Sequence, residues 1–183
     1  MKTLNYISLA ALLCGTAPAM ADELTITLHA VDAKGIGAAL GTVHAVDSKD
    51  GLVLTPQLSG LTPGLHGFHV HQNPDCAPGM KDGQMGAAIA AGGHLDPAKT
   101  GKHEGPMGHG HSGDLPALNV GVDGKATQAV TAPHLKVADL HGHSVMIHAG
   151  SDNYSDQPKP LGGGGARVAC GVVDEISHPK GSY

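Results

Sequence analysis

The chain has 183 residues and a formal charge of −5, from sixteen acidic against eleven basic residues, an excess that argues against nucleic acid as a partner. It has no Trp, one Phe and three Tyr, but 28 Gly and 12 Pro. Long helices are therefore not expected, and the core of a single domain must rest on Val, Leu, Ile, Ala and Met.

In chain order, residues 1–21 come first. They carry Lys2, an apolar stretch over 7–13 and the small-residue end Ala19-Met20-Ala21, the pattern of a secretory signal, so the mature domain is expected to span 22–183. The apolar stretch is too short to cross a bilayer and no later segment approaches the needed length, so no membrane association is expected after removal of the signal. Its loss removes only Lys2 and makes the charge −6. Setting Cys14 aside leaves Cys76 and Cys170 in an exported chain, where disulfides form and persist.

Residues 24–28, Leu-Thr-Ile-Thr-Leu, alternate apolar and polar with the period of a half-buried strand. Further strands are expected over 38–46, 52–58, 65–71, 118–122, 125–131, 144–148 and 168–173, with Gly, Asp or Pro clusters between them. Eight short strands without intervening helical patterns predict an all-β fold, an antiparallel sandwich or barrel. Two connections, 72–114 and 149–166, are too long for ordinary loops of a compact domain, which makes them functional or disordered. The glycine run 162–165 lacks the Lys and Ser or Thr of a phosphate-binding loop and is expected to allow a sharp turn.

Fourteen histidines exceed what packing needs, and imidazole is the commonest protein ligand for zinc and copper. His69 and His71, two apart on one strand, share a face and make a ready chelate. Phe68 and Val70 take the other face; with Phe68 as the core anchor, the two histidines are expected to point outward. In the long connection His94, His103, His111 and Asp114 offer three imidazoles and a carboxylate, the donor set of a closed, structural zinc site. His148 ends the apolar run Val145-Met146-Ile147, where a strand passes into the second long connection.

Taken together, Gly64-Leu65-His66-Gly67-Phe68-His69-Val70-His71, Ala91-Gly92-Gly93-His94, His111-Ser112-Gly113-Asp114-Leu115-Pro116, His148-Ala149-Gly150-Ser151-Asp152-Asn153-Tyr154-Ser155-Asp156 and the run from Gly162 through Arg167 to Cys170 resemble the copper,zinc superoxide dismutases. Asp152-Asn153-Tyr154-Ser155-Asp156 and the glycine run resemble the periplasmic bacterial form. The resemblance covers the chain after Ala21. It implies a Greek-key sandwich or barrel that converts superoxide to dioxygen and hydrogen peroxide, with one copper and one zinc per subunit.

The resemblance assigns copper to His69, His71, His94 and His148, and zinc to His94, His103, His111 and Asp114, with His94 bridging the two. It pairs Cys76 with Cys170. It makes Arg167, the only arginine of the chain, the active-site cation for the superoxide anion, with Lys81 and Lys159 as secondary candidates. Asp152, or else the nearby Asp156, matches the aspartate that links a copper ligand to a zinc ligand. Monomer and homodimer are both compatible with the resemblance. The competing reading is a secreted metal-storage or metal-delivery protein on the same fold, which needs neither Arg167 nor a shared His94. Of the remaining histidines, His109 is a rival to His111, His141 and His143 form a further His-Gly-His pair, and His29, His44, His66, His134 and His178 are expected at surfaces or turns.

Overall fold

The computed structural model describes residues 22–174. The expected signal segment with Cys14, and His178 near the C-terminus, lie outside the described residues. Eleven strands form: β1 (Glu23–Asp32), β2 (Gly35–Ser48), β3 (Gly51–Leu58), β4 (Gly64–His66), β5 (Phe68–His71), β6 (Gly79–Lys81), β7 (Gln84–Gly86), β8 (Leu118–Val120), β9 (Val130–Ala132), β10 (His143–His148) and β11 (Arg167–Val173). Three single 3-10 turns, Ile89–Ala91, Val137–Leu140 and Leu161–Gly163, are the only helical pieces among the described residues. None of them is long enough to cross a membrane.

The main sheet is antiparallel and curled, in the order β5-β10-β11-β1-β2-β3-β9. The chain leaves it after β3 and re-enters at β5 on the far side, beside β10, which is the long crossing connection of a Greek key. Alternating residues from every layer fill one core: Ile26 and Leu28 of β1, Val43 and Ala45 of β2, Leu52 and Leu54 of β3, Phe68 and Val70 of β5, Val145 and Ile147 of β10. Period-two alternation in the sequence is thus the cause of the sheet, because each strand has one apolar face to hide.

The expected strand over 65–71 divides at Gly67. There the amide donates to Gly150 O and the carbonyl accepts from His148 N, both at 2.8 Å, so the chain leaves the β4–β8 pair and joins β10. A Cβ at Gly67 would stand 3.2 Å from the His69 ring, so a side chain there would press that ring out of place. Of 125–131 only the end is a strand, while Ala126 makes an isolated bridge to Leu58.

The expectation that His69 and His71 point outward to solvent is corrected: all four residues of β5 are buried. The connection 72–114 folds back along the free edge of β5, with Val70 N donating to Gly113 O at 2.9 Å and Leu95 N donating to Val70 O at 2.8 Å. The face opposite the core is thereby covered.

That connection is more ordered than its composition suggests. It contains the β6–β7 hairpin, closed by Asp82 and Gly83 with positive φ, and the Ile89–Ala91 turn. Cys76 and Cys170 form a disulfide with a Cα–Cα separation of 5.8 Å, tying its start to β11. The crosslink spans 94 residues, for which chain entropy gives a stabilisation of about 4 to 5 kcal/mol. Replacing both cysteines by serine is expected to lower the unfolding free energy by a few kcal/mol, on the order of that figure, read from the denaturant midpoint; an unchanged midpoint would count against this role.

Candidate metal centre

Strand register assembles the centre. On one edge of β5 the returning connection makes two isolated bridges, which place Asp114 across from His69 and His94 across from His71. On the other edge β10 pairs with β5, and its last residue, His148, arrives next to Arg167 of β11. Two groups result, His69, His71, His94 and His148 on one side, and His69, His94, His103 and Asp114 on the other, each with ligand atoms within 4.8 Å of one another. His69 and His94 stand in both, and of the two it is His94 whose other nitrogen lies on Asp114, while that of His69 is held by Asp152. His111 adjoins the second group, with Nδ1 3.4 Å from Asp114 Oδ1.

In most of these rings one nitrogen is held by the protein and the other is left over. His69 Nε2 donates to Asp152 Oδ2 at 2.7 Å, His71 Nδ1 to Gly92 O at 3.0 Å, His103 Nε2 to Asp152 Oδ1 at 2.7 Å and His148 Nδ1 to Gly165 O at 3.3 Å. His94 Nδ1 and His103 Nδ1 each lie 2.9 Å from an oxygen of Asp114. The buried nitrogens that make no hydrogen bond are His69 Nδ1, His71 Nε2, His94 Nε2 and His148 Nε2, and on the other side His103 Nδ1 and His111 Nδ1. A buried polar atom without a partner costs about 1–3 kcal/mol. Six of them turned into one region fit metal ligation, and the partners on the opposite nitrogens are what fixes ligand tautomer and ring angle.

Electrostatics point the same way. Burial pushes the imidazoles of His94 and His148 down, to about 4 and about 3, and that of His71 well below its ordinary value. Burial lowers His69 as well, against the pull of Asp152. These rings are neutral near pH 7 and keep their lone pairs. Burial alone would lower His103 and raise Asp114 and Asp152, but hydrogen bonds between them win. They hold both carboxyls far below their usual range and lift His103 to about 9. Two ionised carboxylates with fully buried side chains face one protonated imidazole, His103, and the negative charge left over is what a metal cation would compensate.

Asp152, rather than Asp156, links a ring of the first group to a ring of the second. Asp156 instead accepts from the backbone amides of His103 and Leu161. The glycine run serves this link. Gly162, at φ +68°, lies where any Cβ would fall on Asp152 Oδ1, and a Cβ at Gly164 would meet the His148 side chain at 3.1 Å. His109 is exposed and away from both groups, its amide bonded to Glu104. Lys81 and Lys159 are exposed.

Arg167 is half-buried, and its guanidinium donates to the carbonyls of Ala88 and Gly92. Gly92 O is also the acceptor for His71, so one carbonyl orients both the cation and a ligand ring. One residue taken from sequence as a surface or turn histidine belongs to the framework instead. His66 is 2% exposed, its Nδ1 donates to His148 O at 2.7 Å and its Nε2 lies 2.8 Å from Thr62 O. Its place in Gly64–His71 was the available signal, since period two on the unbroken strand would have set it opposite His69; the break at Gly67 removes that inference.

Comparison with known proteins agrees with this geometry. The family model described as copper/zinc superoxide dismutase matches residues 39–173. The copper-zinc superoxide dismutase 2 of Salmonella typhimurium is 53% identical over 174 residues, which cover 94% of this chain and 99% of that protein. Among solved structures, the Cu/Zn superoxide dismutase from Brucella abortus matches with a TM-score of 0.82 at 51% identity, and the monomeric copper, zinc superoxide dismutase from Salmonella enterica with 0.75 at 56%. Each match covers 84% of this chain and 100% of that one.

His66→Ala strips His148 O of its buried donor and leaves a cavity, so it is expected to cost about 2–4 kcal/mol of stability. Thermal and denaturant melts measure this, and a loss under 0.5 kcal/mol would show that His66 does not brace His148.

Proposed function

This chain belongs to the copper/zinc superoxide dismutase family, and from that premise we propose that His69, His71, His94 and His148 hold its copper while His94, His103, His111 and Asp114 hold its zinc. The family's reaction, dismutation of superoxide, consumes two superoxide anions and two protons and yields dioxygen and hydrogen peroxide. The observation that supports the assignment is the pair of four-donor groups that have His69 and His94 in common, in which His94 reaches Asp114 with one nitrogen and leaves the other unpaired, while His111 adjoins Asp114 from the far side. A metal-storage role is not favoured, because storage requires neither a shared ligand nor an arginine fixed beside it.

Copper supplies the one-electron exchange with superoxide and zinc a fixed positive charge that orients the shared ring. The remainder of the reaction depends on the chain. His94 spans both groups, with Nδ1 beside Asp114 and Nε2 among the other three rings, and Nε2 is the atom at which the protein can hold and release a proton. Asp152 couples His69 to His103, so the rings of the two groups keep a fixed mutual angle. Arg167 recruits and positions the anion. A mature domain of charge −6 repels superoxide overall, and a local cation beside His148 reverses that field where it matters. The carbonyls of Ala88 and Gly92 satisfy part of the guanidinium fork and leave further N–H groups for the substrate.

The proposed setting is the periplasm, reached through the signal segment 1–21, with residues 22–183 as the mature domain. One chain contributes every residue of both groups, so either a monomer or a homodimer carries complete sites; the monomeric relative from Salmonella enterica is a precedent for the former.

The test is superoxide dismutation by protein loaded with both metals. Arg167→Ala is expected to retain copper and zinc but lose about tenfold or more in kcat/KM, with a flatter dependence on ionic strength. His148→Ala is expected to weaken copper binding and abolish most of the activity. An inactive, fully loaded wild type would sink the reading. Selective zinc removal is expected to lower Tm by several degrees and to raise hydrogen exchange across 72–114 while copper stays bound; unchanged melting after verified removal would contradict the zinc assignment.

A further inference from the structure

Tyr154 lies in the second long connection, between Asp152 and Asp156, and belongs to neither ligand group. We propose that it is a positioning residue for the zinc group: its ring and hydroxyl pin the two ends of the segment that carries His103, His111 and Asp114, while its backbone amide fixes Asp152. The role rests on the zinc assignment above.

Tyr154 makes three contacts, each to a different part of the group. Its amide donates to Asp152 Oδ1 at 2.8 Å, the same oxygen that accepts from His103 Nε2. Its ring lies against the open side of Gly105, a buried residue at φ +71°, where a Cβ would fall 2.7 Å from Tyr154 Cβ and Cγ. The Gly105 amide points to Asp114 Oδ2 at 3.3 Å, next to that of Glu104 at 3.2 Å, so the ring covers the backbone that hydrogen-bonds the zinc carboxylate. Its hydroxyl accepts from Ala117 N at 3.0 Å, where the chain has just left Asp114 and enters β8. One side chain of the second connection thus clamps the first on both flanks of its donors.

The backbone of Tyr154 supports this reading. It sits at φ +56°, a left-handed conformation that glycine adopts freely and a bulky residue only under strain. Tyrosine at such a position destabilises the fold unless contacts of its side chain offset the strain.

The same conformation supplies a clean variant. Tyr154→Gly keeps the amide to Asp152 in a residue suited to the backbone and removes the ring and hydroxyl together, whereas Tyr154→Phe keeps the ring and loses only the bond to Ala117. Two quantities are measured: the rate of zinc release from copper- and zinc-loaded protein to a zinc-selective chelator, and the visible absorption of Co²⁺ placed in the zinc group. Tyr154→Gly is expected to release zinc roughly tenfold faster or more with copper retained, and to shift and weaken the cobalt bands as the donors lose their fixed angles. Tyr154→Phe is expected to keep wild-type bands and to release zinc about threefold faster, the scale of one lost hydrogen bond, and it decides the matter if the glycine variant does not fold. A residue that only stabilised the fold would lower Tm and leave zinc release and the cobalt bands of the folded protein unchanged. That result, a Tyr154→Phe protein that releases zinc at the wild-type rate, or copper lost in step with zinc would overturn the proposal. A wild type that takes up no zinc would sink the zinc assignment itself, and this role with it.

Discussion

Two backbone hydrogen bonds, Val70 N to Gly113 O and Leu95 N to Val70 O, bring the connection 72–114 back onto the open edge of β5. Everything at the metal centre depends on that pairing. A strand with one apolar and one histidine face would ordinarily show the second to water, and a two-histidine chelate in water binds metal weakly. Once the edge is paired, the facing residues are dictated by register: His94 opposite His71 and Asp114 opposite His69. The same two bonds therefore close the second face, supply the shared ring and deliver the carboxylate.

Closure has an electrostatic cost that the site resolves internally. Asp114 and Asp152 lose their water entirely, yet stay ionised, because Asp114 accepts from His94 and the amides of Glu104 and Gly105 with His103 close by, and Asp152 accepts from His69, His103 and the Tyr154 amide. Rings that face no carboxylate, His71 and His148, are driven to the neutral form by burial and held by backbone carbonyls. The outcome is a division of labour by environment. The side rich in carboxylate suits a permanently charged ion, and the all-imidazole side suits one that changes oxidation state. Asp152 makes the two sides one mechanical unit.

Arg167 is fixed by the same economy of parts. It follows the glycine run on β11, pairs in register with His148, and shares the Gly92 carbonyl with His71. Cys170, three residues on, is crosslinked to Cys76 at the start of the connection whose Ala88 and Gly92 carbonyls grip the guanidinium. The disulfide thus secures the Arg167 guanidinium as well as the fold. In a domain with a single Phe and no Trp, that covalent tie adds stability that aromatic packing would otherwise have to supply.

The sequence by itself determined a good deal. Period-two alternation named most of the strands, the two overlong connections marked where chemistry had to lie, and the spacing of His69 and His71 followed from strand geometry alone. It also supplied the donor set His94, His103, His111 and Asp114. What it left open were relations between residues far apart in the chain. Burial of His69 and His71 depends on a partner edge that pairs with Val70 from Leu95 and Gly113, 25 and 43 residues away, and the preference for Asp152 over Asp156 on which carboxylate reaches two rings at once. Likewise His66 is a brace only because the strand breaks at Gly67 and turns it toward His148. Local pattern records what a residue can do, whereas cross-strand register, which no local pattern encodes, decides which residue it does it with.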